Sequence, residues 1–156
     1  MGSSLATLTQ EAYEKSRVDL SEAEQDLVSC ARRSRNRPAT DRDILLASIV
    51  ESYRKGPRET WSAVLLEVLT PAILERLKRY RAEEPAISAE DIRQQFVMEL
   101  LSVAATAPMP ADAKFVERRL LLRAGQGIRR WLRKEGRYRA VCEPLDELHD
   151  QEEESK

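Results

Sequence analysis

The spacing of apolar residues along the chain predicts a series of amphipathic helices. Apolar residues recur three or four positions apart in five segments, which begin near residues 21, 43, 58, 88 and 111. Such spacing places the apolar side chains on one face of a helix. Gly56, Pro57 and the segment 107–110 separate neighbouring segments, as helix-terminating residues do. The pattern therefore predicts an all-α protein, folded as a compact bundle of about five to six helices.

Three pairs of polar residues mark expected helix starts. They are Ser21 with Glu24, Thr40 with Asp43, and Ser88 with Asp91. A hydroxyl followed three positions later by a carboxylate has the spacing of a capping box, in which the two side chains satisfy backbone amides of the first turn. The pair at residues 40 and 43 is the weakest of the three signals. Each pair is expected to cap the helix that follows it.

Further residues set the expected core and the expected interruptions of helices. Thr70–Pro71 is expected either to kink a helix or to restart it, because proline is tolerated in a first turn. Gly125 and Gly127 weaken the last helix by about 1 kcal/mol each relative to alanine, and they permit close packing or a bend. The apolar residues expected to face the core include Leu27, Val28, Ala31, Ile44, Leu45, Ile49, Val50, Tyr53, Trp61, Val64, Leu65, Val68, Leu69, Ile73, Leu74, Leu77, Tyr80, Ile92, Phe96, Leu100, Val103, Phe115, Leu121, Ile128, Trp131 and Leu132.

Composition supports one helical domain with extensions at both ends. The chain has 156 residues, of which 42% are hydrophobic, 34% are charged and only five are glycine. Sheet proteins need more β-branched runs and glycine-rich turns. We expect an N-terminal helical extension of unknown role at 1–40, which is frayed or weakly helical over residues 1–20. A helical domain is expected at 41–139, with its last helix ending near Lys134, and an acidic tail at 140–156 that is disordered from Glu143.

Charge is distributed unevenly, although the net charge is only −1. Residues 114–139 contain ten basic and two acidic residues, whereas residues 140–156 contain seven acidic residues and one basic residue. A strongly basic helix is thus followed directly by an acidic tail. We expect the tail to occupy the basic face of its own chain through a short tether.

The sequence contains few residues that carry catalytic or metal chemistry. His149 is the only histidine, and Cys30 and Cys142 share no metal-ligand spacing. Acid–base catalysis by histidine and a bound metal are therefore unexpected, and we predict neither an enzyme nor a cofactor. The N-terminus lacks the features of a signal peptide, and no apolar run approaches the roughly 20 residues of a membrane span. A cytoplasmic protein without a membrane partner is the expectation.

Four segments resemble, in order, the promoter-binding helical domain of bacterial RNA polymerase sigma factors. The first, around Trp61, Leu65 and Pro71–Leu77, resembles the helical pair that precedes the docking helix. The segment DIRQQFVMELL (91–101) resembles the sigma helix that docks on the polymerase, and FVERRLLLRAGQGIRRWLRKEGR (115–137) resembles the family's long basic helix. PLDELHDQEEE (144–154) resembles the acidic linker of the extracytoplasmic-function type. The resemblance covers roughly residues 58–150. It implies a fold like sigma region 2, the domain that captures the −10 promoter element.

The resemblance also implies partners and the residues that contact them. The expected partners are core RNA polymerase, through the clamp helices of its largest subunit, promoter DNA, and as an alternative another regulatory protein. The residues expected to bind polymerase are Asp91, Ile92, Gln94, Gln95 and Met98. The residues expected to bind nucleic acid are Lys114, Arg118, Arg119, Arg123, Gln126, Arg129, Arg130, Trp131, Arg133, Lys134 and Arg137.

Departures from the family pattern leave a second function open. Gln95 stands where the family usually has glutamate, while Arg119 and Gln126 occupy aromatic and asparagine positions that help melt promoters. The chain ends where the family's second, helix-turn-helix domain is expected to begin. We therefore expect promoter melting to be absent or feeble. A protein–protein regulatory module with a degenerate sigma-like fold is the alternative function.

The basic residues also permit simpler interpretations. Two interpretations of the arginines in the last helix are open. Either they bind phosphates or an acidic partner, or they are simply exposed to water on the outer face of the helix. Trp131 stacks on an unpaired base, or it packs in the core beside Ile128. The basic run at residues 32–37 is most simply explained as a solvated helix end.

Overall fold

The computed structural model describes residues 21–34, 37–80 and 87–154 of the chain. These residues form five α-helices and no strand, which confirms the all-α prediction. The helices are α1 (Glu22–Ser34), α2 (Ala39–Lys55), α3 (Arg58–Leu77), α4 (Ala89–Thr106) and α5 (Val116–Glu154). The expectation for residues 1–20, the first half of the N-terminal extension, lies outside the described residues.

Two of the three predicted caps form as expected. The Ser88 hydroxyl accepts a hydrogen bond from the Asp91 amide at 3.1 Å, and the Asp91 carboxylate accepts from the Ser88 amide at 2.8 Å. Ser21 and Glu24 exchange the same pair of bonds at the start of α1, at 2.9 and 3.3 Å. Both pairs satisfy amides that lack a partner inside the helix. These local signals were therefore sufficient to place two helix starts.

The core of the bundle is formed by side chains from all five helices. Trp61 of α3 and Phe96 of α4 are its largest members, and both are fully buried. Helix α4 packs most extensively against α5, and α2 packs against α3. The other large, fully buried side chains are Leu46, Ile49, Leu65, Leu69, Leu100, Leu120, Ile128, Val28, Val50 and Val68. Burying each such side chain contributes roughly 1.5–3 kcal/mol. None of the helices in the described residues is long and apolar enough to cross a membrane.

Three residues that the apolar pattern assigned to the core are instead exposed. Ile44 is 74% exposed, Leu74 is 52% exposed and Phe115 is 59% exposed. Ile44 lies two positions before Leu46, about 200° around the helix, so the two cannot share the buried face. Leu74 directly follows buried Ile73 and lies about 100° farther around the helix, outside the buried face. Phe115 lies ahead of α5, outside the helical period.

Helix α3 is continuous through Pro71, so proline does not restart a helix there. The hydroxyl of Thr70 donates a hydrogen bond to the Leu66 carbonyl oxygen at 2.6 Å. This bond lies in the turn where proline lacks an amide donor. The side chains of Val64, Val68 and Leu69 before the proline and Ile73 after it are buried, so core packing favours a single helix through this position.

The prediction that Thr40 and Asp43 cap α2 was wrong. Helix α2 begins at Ala39 after Pro38, and no side chain caps it. The Asp43 carboxylate instead accepts hydrogen bonds from the amides of Phe115 (2.9 Å) and Glu117 (3.1 Å), at the start of α5. A negative charge there is favourable because a helix N-terminus carries free amides and partial positive charge. Asp43 thus caps a helix that begins more than 70 residues later.

A buried ion pair lies beside this cap. The guanidinium of Arg42 donates to the Glu117 carboxylate, and both residues are almost fully buried. The chain enters α5 through Ala113 (φ 54°) and Phe115 (φ 58°), two non-glycine residues in the left-handed region. That conformation costs roughly 1–2 kcal/mol per residue. The contacts of Arg42 and Asp43 with the first turn of α5 offset this strain.

Helix α2 also holds the end of α4. The guanidinium of Arg54 donates to the carbonyl oxygen of Ala104 at 2.8 Å and also to that of Ala107. A cation suits this place because the last carbonyls of a helix lack partners and carry partial negative charge. Helix α2 therefore fixes both the end of α4 and the beginning of α5.

Helix α5 is longer than the sequence predicted. It was expected to end near Lys134, with a disordered tail from Glu143, but it continues to Glu154 and has 39 residues. Most residues after Ala140 are good helix formers, such as leucine, glutamate and glutamine, and Pro144 is the one strong exception. The acidic segment therefore continues the same helix instead of folding back over the basic segment.

Replacement of Asp43 by alanine is expected to destabilise the fold by about 2 kcal/mol or more. The substitution removes a helix cap and leaves two amides without an acceptor in a largely buried position. Asp112→Ala is the matched control, because Asp112 accepts one exposed bond, from the Lys114 amide, in the same loop. Chemical denaturation measures both variants. Equal losses of unfolding free energy would contradict the assignment of Asp43 as the cap of α5.

Stability should depend on the ionisation of Glu117. Burial raises the pKa of Glu117 above its ordinary value of 4.5, the nearby Asp43 carboxylate adds to the rise, and Arg42 opposes it. The stability that Glu117 contributes is fully present below pH 4.5 and is lost as pH rises through the folded-state pKa. The unfolding free energy of the natural chain minus that of Glu117→Gln should therefore fall with rising pH. A difference that rises with pH, or stays constant, would show that the pKa is not raised.

Candidate nucleic-acid interface

An open groove of about 810 Å³ runs between α4 and the first half of α5. We call it the arginine groove. Its α5 side carries Arg118, Arg119, Leu122, Arg123, Gln126 and Arg130, and its α4 side carries Glu99, Ser102, Val103 and Thr106. Ala107, Pro108 and Phe115 close the end near the start of α5. Because α2 fixes that start and the end of α4, the groove has a defined shape.

Three arginines of the groove have no counter-ion among the carboxylates whose side chains the structure describes. Arg118, Arg123 and Arg130 make no ion pair with any carboxylate whose side chain the structure describes. Arg119 differs, because it donates to the Pro108 carbonyl oxygen at 3.1 Å. Basic residues elsewhere do pair, as Lys78 does with Glu75 at 2.9 Å. The groove is therefore a concave surface with uncompensated positive charge.

Two glycines allow α5 to lie close to its neighbours. A Cβ atom on Gly127 would fall 2.1 Å from Oε2 of Glu99, and one on Gly125 would fall 2.2 Å from the Tyr80 hydroxyl oxygen. Any larger residue would push these side chains away. Of the two roles that the sequence left open, close packing is the one the structure shows. Glu99 is held in the groove, where its Oε1 accepts a hydrogen bond from the side-chain Nε2 of Gln95 at 3.1 Å.

The basic surface continues along α5 beyond the arginine groove. Arg130, Arg133, Lys134 and Arg137 line a second, smaller depression of about 320 Å³. Arg130 belongs to both depressions and joins them. Between Arg118 and Arg137 the helix rises about 28 Å, at about 1.5 Å per residue. The positive surface is therefore a continuous stripe and not an isolated spot.

The remaining residues expected to bind nucleic acid lie apart from the groove. Arg129 lies over the Tyr80 ring, with its guanidinium carbon 5.8 Å from the ring centroid. Trp131 is partly buried and packs against the core, as in the simpler of its two interpretations. Lys114 is exposed and lies 3.9 Å from an Asp112 carboxylate oxygen. The arginine groove thus gathers five of the eleven residues, namely Arg118, Arg119, Arg123, Gln126 and Arg130.

The residues expected to bind polymerase do not all lie on the surface of α4. Gln94 is exposed and Met98, one turn later, is 64% exposed. Gln95 is half-buried, whereas Ile92 belongs to the core. Asp91 serves the capping box at the start of the helix. The surface available on this face of α4 is therefore formed by Gln94 and Met98, and Ile92 anchors the helix from below.

Sequence reasoning missed the apolar part of the groove. Phe115 is 59% exposed and Leu122 is also exposed, although both are large and apolar. Leu122 lies four residues from both Arg118 and Gln126, which places all three on one helix face. That spacing was the signal available in the sequence. The outcome is a groove that combines cationic and apolar contact surface.

The arginine groove offers guanidinium groups and exposed apolar side chains as contact groups for a ligand. Within the described residues, no group of three or more His, Cys, Asp or Glu side chains is placed to hold a metal ion. Guanidinium groups bind phosphate and carboxylate in bidentate fashion, and exposed aromatic rings stack on unpaired bases. An anionic polymer with planar apolar groups therefore matches the groove best.

Comparisons of the chain with protein-family models, curated proteins and solved structures found no match. The resemblance to sigma factors therefore rests on the four sequence segments named above. The arginine groove rests on the contacts of this chain alone.

Proposed function

We propose that this chain is a transcription protein that binds a nucleic-acid strand in the arginine groove. The observation that carries the proposal is the cluster of Arg118, Arg123 and Arg130, which no described carboxylate neutralises. Concentrated positive charge on a protein surface attracts phosphates, and the release of their counter-ions drives binding. The 28 Å stripe along α5, estimated from the helical rise, is long enough to contact several successive phosphates.

The apolar residues of the groove favour a single strand over a duplex. Phe115 presents an exposed ring at one end of the groove, and Leu122 lies between the arginines. Stacking of a base on an aromatic ring contributes roughly 1–3 kcal/mol, and it requires an unpaired base. A duplex would satisfy the arginines but would leave both apolar side chains in water. The proposed ligand is therefore a strand with at least one unstacked base.

The sigma-like part of the proposal concerns α4. Gln94 and Met98 correspond to the docking helix in the resemblance, and they form an exposed patch with a polar and an apolar member. We propose that this patch docks on the clamp helices of core RNA polymerase. The buried position of Ile92 supports such a surface, because it fixes the helix that carries the patch.

The alternative function is a regulatory module that binds a protein without melting a promoter. The observation that favours it is the 64% exposure of Met98, since an exposed methionine adapts to different apolar partners. On this alternative, α4 contacts a protein partner and the arginine groove makes no productive contact with a promoter. The two predictions below separate the alternatives.

Neutralising the groove should weaken binding to single-stranded DNA at least tenfold at low salt. Arg118→Ala with Arg123→Ala removes two expected phosphate contacts, so the slope of log affinity against log salt should fall by about 1.4, at about 0.7 for each contact. Lys55→Ala with Lys78→Ala is the matched control, because both lysines are exposed on other helices. Fluorescence anisotropy measures the affinities. Equal binding by the two double variants would show that the groove does not bind the strand.

Truncating the patch on α4 should weaken binding to purified core RNA polymerase about tenfold. Gln94→Ala with Met98→Ala removes exposed groups, so the unfolding free energy should change little. Leu74→Ala, which removes an exposed apolar side chain from α3, is the control. If the natural chain does not bind polymerase at micromolar concentration, the docking proposal is wrong, while strand binding can still be correct.

A further inference from the structure

Helix α5 contains a basic segment followed by an acidic segment. Its 39 residues span about 58 Å, and the helix passes from the basic segment 114–139 to the acidic segment 140–156 without interruption up to Glu154. Within one chain, residues 143–154 lie farther along this axis than Arg137. The acidic segment therefore cannot reach the arginine groove of its own chain while α5 remains a continuous helix.

We propose that two copies of this chain pair antiparallel along α5, so that the acidic segment of each copy occupies the arginine groove of the other. The basic segment has a net charge of +8, from ten basic and two acidic residues, and residues 143–154 carry seven carboxylates. Antiparallel pairing brings these opposite charges together twice, because a two-fold axis repeats every contact. Parallel pairing would bring like charges together instead.

The boundary between the basic and acidic segments, at residues 139 and 140, places the two-fold axis of the pair near Tyr138 and so defines which residues face each other. An axis at Tyr138 places residue 153 level with Arg123 and residue 146 level with Arg130, since each pair is equidistant from residue 138. Tyr138 is exposed, and a Cβ atom on Gly136 would meet nothing within 4 Å. The region of the proposed axis is therefore open to a second helix. Both arginines lie in the groove and lack a described counter-ion.

The acidic segment also has the pattern of a helix that binds in a groove. In the sequence, Val141, Leu145 and Leu148 are spaced by four and three residues, which places them on one helix face, and carboxylates fill most other positions. The arginine groove offers exposed Leu122 among its arginines. An acidic amphipathic helix is complementary to this surface in both charge and apolar contact.

Each ion pair between the two copies should be weak, and the dimer as a whole should be sensitive to salt. Each exposed ion pair contributes at most about 1 kcal/mol, so stability depends on the whole set of pairs. Salt screens exposed charges, with a Debye length of about 10 Å at 0.1 M ionic strength. A dimer that forms at low salt should therefore dissociate at high salt.

Pairing also regulates the arginine groove, a consequence that rests on the proposed binding of nucleic acid there. The acidic segment of the second copy and the nucleic-acid strand occupy the same groove, and both are negatively charged. They therefore compete, and the apparent affinity for the strand should fall as the protein concentration rises. A tail that folded onto its own chain would lower the affinity equally at all protein concentrations.

Charge exchange between the two segments tests the pairing with the full-length chain. The groove variant carries Arg123→Glu and Arg130→Glu, and the tail variant carries Asp146→Lys and Glu153→Lys. Sedimentation velocity at about 50 mM salt, where such charges are weakly screened, measures the oligomeric state. We expect a dimer for the natural chain, monomers for each variant alone, and a dimer for their equimolar mixture, in which both grooves again face tails of opposite charge.

Two controls complete the design. Glu59→Lys with Glu75→Lys reverses two exposed carboxylates on α3 and should leave the dimer intact. Circular dichroism verifies that the groove and tail variants fold. A natural chain that stays monomeric at high micromolar concentration, a dimer that persists in either variant, or a mixture that stays monomeric would each overturn the pairing. Strand binding is measured separately, so its failure would leave a salt-sensitive dimer in place.

Discussion

The contact between α2 and the first turn of α5 determines the position of the whole basic surface. Asp43 caps the helix through the amides of Phe115 and Glu117, and Arg42 pairs with the Glu117 carboxylate beside it. Breaking a buried ion pair by removing one partner typically costs about 3–5 kcal/mol, so this contact is expensive to lose. It also holds the left-handed residues through which the chain enters α5. Without it, neither the direction of α5 nor the groove beside it would be fixed.

The groove follows from this constraint together with the contacts at its other wall. Arg54 holds the last carbonyls of α4, and Gly127 allows α5 to lie against Glu99. The arginines then project from a helix whose opposite face is bound to the core by residues such as Leu120 and Ile128. The protein core thus presents a row of positive charges on a rigid support. A fixed helix favours binding because few backbone degrees of freedom must be ordered when the ligand arrives.

The sequence predicted local features well and distant ones poorly. The capping boxes at Ser21 and Ser88 were predictable because both partners lie within one helical turn. Asp43 has the same residue type and spacing, yet its acceptor role depends on a contact with residues 115 and 117, which no local pattern contains. Phe115 was wrongly assigned to the core for a related reason, since an exposed apolar residue outside a helical period differs from a core residue only in its tertiary surroundings. The clustering of arginines was predictable from the distribution of charge along the sequence. That no described carboxylate pairs with Arg118, Arg123 or Arg130 depends on the packing of α4 against α5.

The most direct test of the account is to map where a single-stranded DNA contacts the chain. Photochemical cross-linking of a strand to the full-length protein, followed by mass spectrometry of the peptides, reports the contacted residues without any substitution. We expect cross-links concentrated between residues 115 and 130, with Phe115 among them, and their loss when salt releases the strand. Cross-links confined to α1 or α3, or the absence of any cross-link under conditions where the strand is bound, would contradict the assignment of the arginine groove as the binding site.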